Sequence, residues 1–434
     1  MSEVLPGNGS DVEGALLGGI SSQFRINPFT GGHLTVRHAE GAVIETVDGR
    51  SYLDMFMAHG STVLGHGHPA VMQAVRDCLN DGVVVGYETG LAEVVASRIA
   101  ETVPSAEAAR FTASGSEAVG SALRLARAHT GRDVIIKIDG HFHGGTDYAM
   151  VNSLVANTDR DNPGGRPSRS ILSSGGIPAS VADSVVPVPW NDLPALEVAF
   201  ATHPGRVAGV IMVPIDFNNG CITTTAEYLT GALEMTHTHG ALLIFDEILS
   251  GYKTGLGGAQ VLYGVTPDLT LLSKCLSSGV PLSVLSGRRE IMDTLMLPPP
   301  AGAIQGGTFA GNIMGLAAAR ATLELLSART FYPDLLTRSE RFFRDLQGVF
   351  DASPLAAHVQ WVGCMFTVYM GTRDPVTSYA QMRTLDTALN KRFFTRCIEE
   401  GVYFHTDFTV SAAHSDAILA QVLERMERAA STVG

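Results

Sequence analysis

Two residues, each at the end of an apolar run, have the types and placement to do chemistry. Ala241-Leu242-Leu243-Ile244-Phe245-Asp246-Glu247 is an unbroken apolar stretch that stops at two carboxylates. So short a run suits a strand buried on both faces of a parallel sheet. Ligands of such sheets sit beyond the carboxyl ends of the strands. Asp246 is therefore expected at the edge of a dry core, where a carboxylate is costly unless a cation meets it. Pro267-Asp268-Leu269-Thr270-Leu271-Leu272-Ser273-Lys274-Cys275 reads as a second buried strand, this one ending on a lysine. A buried lysine holds its proton less firmly and becomes a nucleophilic amine. One such amine and one such carboxylate meet the needs of pyridoxal phosphate. The lysine holds the cofactor as a Schiff base, and the Asp keeps the pyridine nitrogen protonated so that the ring can accept electrons. Read singly, a strand-end Asp also suits a helix cap and a lone Lys a solvated surface charge, so the rest of the chain must decide.

The elements that would position these residues can be read around them. Arg110-Phe111-Thr112-Ala113-Ser114-Gly115-Ser116-Glu117-Ala118 is a strand, a turn of small residues and the start of a helix over about 117–130. Backbone N–H groups at a helix start, with small hydroxyls beside them, make an anion site. The same turn also suits an ordinary serine N-cap. The strand Val134–Ile138 ends at Asp139-Gly140-His141-Phe142-His143-Gly144-Gly145, and a core strand over 207–215 ends at Asp216-Phe217-Asn218-Asn219-Gly220. Strands alternating with helices over about 63–288 predict a mostly parallel α/β sheet. Before it, 42–54 reads as two strands turning at Asp48-Gly49; after a long helix from about 313 the tail alternates helix and strand. The polar stretch 151–183 is expected to be a weakly held functional lid, with few apolar anchors beyond Val151, Leu154, Ile171 and Leu172. Residues 1–14, polar and Gly-rich, are expected to be disordered.

Composition narrows the function classes. With 434 residues, 45% of them hydrophobic, the chain can bury a large core in more than one lobe. The net charge of -13 and the lack of a basic run argue against nucleic acid and against an anionic membrane surface. The five cysteines (Cys78, Cys221, Cys275, Cys364, Cys397) form no C-x-x-C pair, which argues against a disulfide framework or zinc and fits a reducing cytoplasm. No apolar run approaches the ~18 residues of a membrane span. The pairs His66/His68, His141/His143 and His237/His239 have no carboxylate or Cys at ligand spacing, so no metal is expected.

The chain resembles a fold-type I enzyme of the class III aminotransferase family. The resemblance rests on Asp48-Gly49…Tyr52-Leu53-Asp54, Gly65-His66…His68-Pro69, Ser114-Gly115-Ser116-Glu117-Ala118, Phe142-His143-Gly144, Phe245-Asp246-Glu247-Ile248, Lys274 and Gly307-Thr308-Phe309…Asn312. Within the family it is most similar to the glutamate-1-semialdehyde aminomutase branch, through Gly18-Gly19-Ile20-Ser21-Ser22…Arg25, Gly363-Cys364-Met365-Phe366-Thr367 and Val410-Ser411-Ala412-Ala413-His414. The resemblance implies a large domain over 63–312 with a mostly parallel sheet. It also implies a smaller α+β domain formed by the chain ends, 1–62 and 313–434.

The resemblance further implies a role for each matched residue. Lys274 and Asp246 would be catalytic. Ser114, Gly115 and Ser116 would bind the cofactor phosphate; Phe142 and Ile248 would flank the ring. His143 would contribute to the cofactor pocket, and Asn218 would bond the ring's phenolic oxygen or the substrate. Thr308 would reach the cofactor of the neighbouring subunit in a homodimer. Arg25, with Ser22 beside it, would clamp a substrate carboxylate. Val213, Lys253, Ala113 and Gln305 stand where the family commonly has Glu, Arg, Asn and His. These departures spare the Lys–Asp–phosphate core and argue against the housekeeping aminomutase of tetrapyrrole synthesis. The expected activity is amino-group transfer between an amino acid and a keto or aldehyde acceptor, in a specialised pathway. The alternatives are a 2,1-aminomutase and a catalytically dead binding module.

Overall fold

Three N-terminal strands form where the Asp48-Gly49 turn places them: β1 (Val36–Glu40), β2 (Val43–Thr46) and β3 (Ser51–Asp54), antiparallel in that order. The computed structural model describes residues 15–154 and 158–433; the stretch 1–14, with its expected disorder, lies outside the described residues. The chain divides into two units. One comprises Met1–Pro69, Pro333–Thr377 and Gln381–Gly434, the other Ala70–Tyr332 with Ser378–Ala380.

The second unit holds the large sheet. Its strands are β4 (Ala108–Thr112), β5 (Val134–Ile138), β6 (Val185–Val188), β7 (Val207–Met212), β8 (Leu242–Glu247), β9 (Leu269–Leu272) and β10 (Ser283–Gly287), ordered β4-β10-β9-β8-β7-β5-β6. β10 runs antiparallel to both of its neighbours, β4 and β9, and the other described pairs of this sheet are parallel. Every residue of β5, β7 and β8 is buried, as apolar runs covered on both faces must be. Along β8 the side chains alternate. Leu242 and Ile244 pack with Ala118, Ala122, Leu125 and Ala126 of the helix Gly115–Thr130. Leu243 and Phe245 pack with Leu196, Phe200 and Leu229 on the other face.

The boundary expected at 312 lies at Tyr332 instead. The helix Ile313–Leu326 is built into the large unit: ten of its residues are buried, and Asn312 caps it while donating to the Pro281 carbonyl. The expected start at 63 moves to Ala70 because Val63 accepts from Ala412 N within the other unit.

The described residues of the stretch 151–183 carry more anchors than the apolar residues expected to hold it. Val151, Asn152 and Ser153 are buried, and Val151 packs with Val181, Val185, Leu172 and Ile177. Polar anchors do the rest: Asn152 bonds Asp139, Arg169 O and Ile171 N, and Asp159 accepts from Arg169 N. A reading based on apolar anchors alone undercounts such a segment.

The first unit continues with β11 (Ala357–Val362), β12 (Met365–Met370), β13 (Val402–Tyr403) and β14 (Phe408–Thr409). β11, β12 and β14 form an antiparallel sheet, while β13 joins β3 in parallel. Phe342 and Phe343 pack their rings on Phe366 of β12.

Candidate active site

Sheet register brings Asp246 and Lys274 to the ends of neighbouring strands. Asp246 pairs with Leu271 and Glu247 with Leu272 across β8 and β9. Lys274 thus stands two residues beyond the pair that closes the ladder. It opens a short 3-10 turn, Lys274–Ser277, with φ of 43°. A non-glycine residue in this left-handed region is uncommon and often marks a functional site. Lys274 is half-buried.

Asp246 is buried at 4% exposure and its carboxylate is held at both oxygens. Oδ1 accepts from Ile248 N at 3.0 Å; Oδ2 faces His143 Nδ1 at 2.7 Å. His143 is fully enclosed, and burial lowers its pKa against the opposing pull of Asp246. The ring is therefore neutral near pH 7, and the contact assigns its proton to Nδ1, donating to Asp246. Its Nε2 is buried without a partner. The resemblance placed His143 in the cofactor pocket; its bond to Asp246 has no signal in the sequence, since 103 residues separate the two.

The Ser114 turn forms the serine N-cap, and the helix start it caps is of the kind that suits an anion. Ser114 Oγ accepts from Glu117 N at 3.3 Å as an N-cap, and Glu117 Oε2 reaches back past the cap to accept from Ala113 N at 2.8 Å. Gly115 and Ser116 are the first residues of the helix, so their N–H groups have no carbonyl one turn back to serve. Ser116 Oγ accepts from Gly145 N at 3.0 Å and ties the turn to the loop after His143. A Cβ on Gly115 would lie 2.8 Å from Ile248 Cδ1; one on Gly144, whose φ is 87°, would lie 2.5 Å from Ser116 Oγ. Both glycines permit this close packing.

These groups fit a phosphorylated pyridine cofactor. There is a helix start for an anion, a buried carboxylate fixed by two donors for a ring nitrogen, an unpartnered buried imidazole nitrogen, and an amine at the next strand end. Phe142 is half-buried beside His143. Asn218 is half-buried in the turn after β7, while its neighbour Asn219, not singled out from the sequence, bonds Asp216 Oδ2 at 2.6 Å. Thr308 is exposed, with Ile304 and Phe309 exposed nearby.

Arg25 and Ser22 belong to the other unit. Ser22 Oγ caps the short turn Gln23–Arg25 by accepting from Phe24 N. Arg25 lines a cavity of about 200 Å³ with Phe24, Phe56, Ala58, Tyr403 and His405 among its walls. Among the described residues no carboxylate pairs with its guanidinium. Beside Ala58 the backbone is strained: Met57, Ala58 and His59 have φ of 49°, 54° and 55°. Such a left-handed run costs roughly 1–2 kcal/mol per residue. It presents His59 Nδ1 to Asp407 Oδ2 at 2.9 Å, a pair the sequence does not announce.

The family model described as aminotransferase class-III matches residues 28–429. An ω-transaminase from Sphaerobacter thermophilus is similar at 27% identity and a TM-score of 0.88, covering 96% of this chain and 95% of the other. A structure described as a transaminase with PLP bound is 25% identical, with a TM-score of 0.83, covering 95% and 93%. A glutamate-1-semialdehyde aminomutase from Pseudomonas aeruginosa PAO1, at 23% identity, a TM-score of 0.82 and coverage of 95% and 90%, shares the fold.

Proposed function

The chain belongs to the class III aminotransferases and is a pyridoxal phosphate-dependent enzyme; from that premise we propose that it moves an amino group from an amino acid to a keto or aldehyde acceptor in a specialised biosynthetic pathway. The observation that carries this reading is Asp246, clamped by His143 and Ile248, one strand away from Lys274. When bound, the cofactor supplies a sink for the electrons released at the substrate carbon.

The chain's own residues do the rest. Lys274 Nζ would hold the cofactor, and as a free amine it would take and return the proton at the substrate carbon. Asp246 keeps a proton on the ring nitrogen, and neutral His143 orients that carboxylate without adding charge. The N–H groups of Gly115 and Ser116, with the Ser114 and Ser116 hydroxyls, hold the phosphate. Phe142 and Ile248 flank the ring, His143 closes the pocket, and Asn218 meets the phenolic oxygen or the substrate. Arg25, with Ser22, clamps a substrate carboxylate. In a homodimer Thr308 reaches the neighbouring cofactor; its exposure beside Ile304 and Phe309 supports that reading. No helix among the described residues is long and apolar enough to cross a membrane, and the scattered placement of the five cysteines supports the reading of a reducing cytoplasm.

The 27% identity to an ω-transaminase favours the transferase over the aminomutase. The anchored stretch 151–183 gives no separate argument for it. A single-turnover experiment with an amino donor and no acceptor decides. Stoichiometric free keto acid is the expected result. Steady conversion of one substrate into its positional isomer, with no keto acid released, would make the enzyme an aminomutase.

A further inference from the structure

The imidazole that orients Asp246 is itself held by a turn, and the turn is built on a buried charge. Lys137 lies in β5 at 1% exposure. Its Nζ donates to three carbonyls: Ile138 at 3.2 Å, His141 at 2.7 Å and Asn152 at 3.2 Å. Two of these lie in the run that leads to His143; the third belongs to the returning chain, where Gly140 N also bonds Asn152 O.

The surroundings keep the ammonium from sitting elsewhere. Asp139 is taken up by Asn152 Nδ2 at 2.9 Å. Asp216 is taken up by Asn219 Nδ2 and by the Tyr379 hydroxyl. Both carboxylates favour the charged Lys137 from a distance, while burial lowers its pKa to about 7. Neither draws Nζ away from the carbonyls. A buried charge is weak evidence for stability, because apolar side chains of the same volume often stabilise a core more. What an ammonium supplies and an apolar side chain cannot is a fixed point on which three carbonyls converge.

We propose that Lys137 is a positioning residue for the reaction: its Nζ, bonded to three carbonyls, fixes the turn that aims His143 Nδ1 at Asp246, and through that pair it sets how firmly the cofactor's ring nitrogen is held. This rests on the reading of Asp246 as the ring's partner.

The test uses the full-length enzyme and reads the cofactor as well as the rate. Lys137→Met keeps the length and removes the donors. It is expected to weaken pyridoxal phosphate binding by about tenfold, the scale of one charged hydrogen bond. It should also shift the absorbance of bound cofactor in the same direction as His143→Gln. Because the two residues act in series, the double variant should be no worse than the worse single variant. Lys137→Gln, which retains two N–H donors, should fall between wild type and Lys137→Met, and it serves alone if Lys137→Met does not fold. A lower melting temperature with unchanged cofactor affinity and spectrum would overturn the proposal, as would additive effects in the double variant. Asp246→Asn is the control. If it leaves the cofactor spectrum unchanged, the assignment of the ring partner fails. If it alters the spectrum while the Lys137 variants do not, only the role of Lys137 fails.

Discussion

The carboxyl ends of β8 and β5 stand in one sheet with β7 between them, yet they differ in what can be read from them. At β8 an apolar run stops at a carboxylate, and the cost of burying that charge advertises a ligand. At β5 the charge, Lys137, lies inside the run Val134–Ile138 and passes for a strand residue. Its partners are backbone carbonyls, which every sequence has and none displays. His143 belongs to both ends, rising from the β5 turn to bond the β8 carboxylate. Charges that end an apolar run are legible by type; the residues bonded to them from elsewhere are legible only by contact.

The largest test of that contrast is Lys274→Ala, expected to abolish measurable turnover while the fold and some non-covalent cofactor remain. Retention of the wild-type rate would remove the β9 end from the chemistry. His143→Gln should leave Asp246 buried with a poorly placed donor and lower kcat by roughly 10–100-fold, the equivalent of about 1–3 kcal/mol. An unchanged kcat would make the β5 end mere scaffolding. Arg25→Ala should raise KM for carboxylate substrates about tenfold or more with kcat less affected, since a charge-assisted hydrogen bond is worth about 1.5–3 kcal/mol. An unaltered KM across donors and acceptors would dismiss the clamp.

Smaller effects sharpen the comparison. Gly115→Ala should destabilise the enzyme by about 1 kcal/mol, because its Cβ would press on Ile248 Cδ1 at the β8 end. Adding Ile248→Val should restore much of the loss in a urea titration, and failure of that rescue would locate the strain elsewhere. The β5 end should show itself in acid. Burial lowers the pKa of His141 and of His143 in the fold. The unfolded chain therefore takes up their protons first. Stability from the neutral rings is complete above the unfolded value of about 6.5 and is lost as pH falls below it toward the folded values. His141→Gln should flatten the fall in urea midpoint on that acid side; an unchanged slope would assign the acid sensitivity to other groups.

Sequence alone determined the sheet and the charged residues at its strand ends. β5, β7 and β8 follow from runs of β-branched and aliphatic residues too short for helices. Asp246 and Lys274 follow from the cost of a charge where such runs end. The serine N-cap at Ser114 could be read as well, because its partner Glu117 N lies within one helical turn. Tertiary structure alone decided the rest. Asp246 gained His143 from 103 residues away, and Lys137 gained three carbonyls. Within 151–183, Asn152 and Asp159 added polar anchors to the apolar ones, and Met57, Ala58 and His59 were bent into a left-handed run. The reason is common to all four. Apolar burial follows a period that the sequence carries, whereas a hydrogen bond or a strained φ depends on where a distant part of the chain arrives, and no local pattern encodes that arrival.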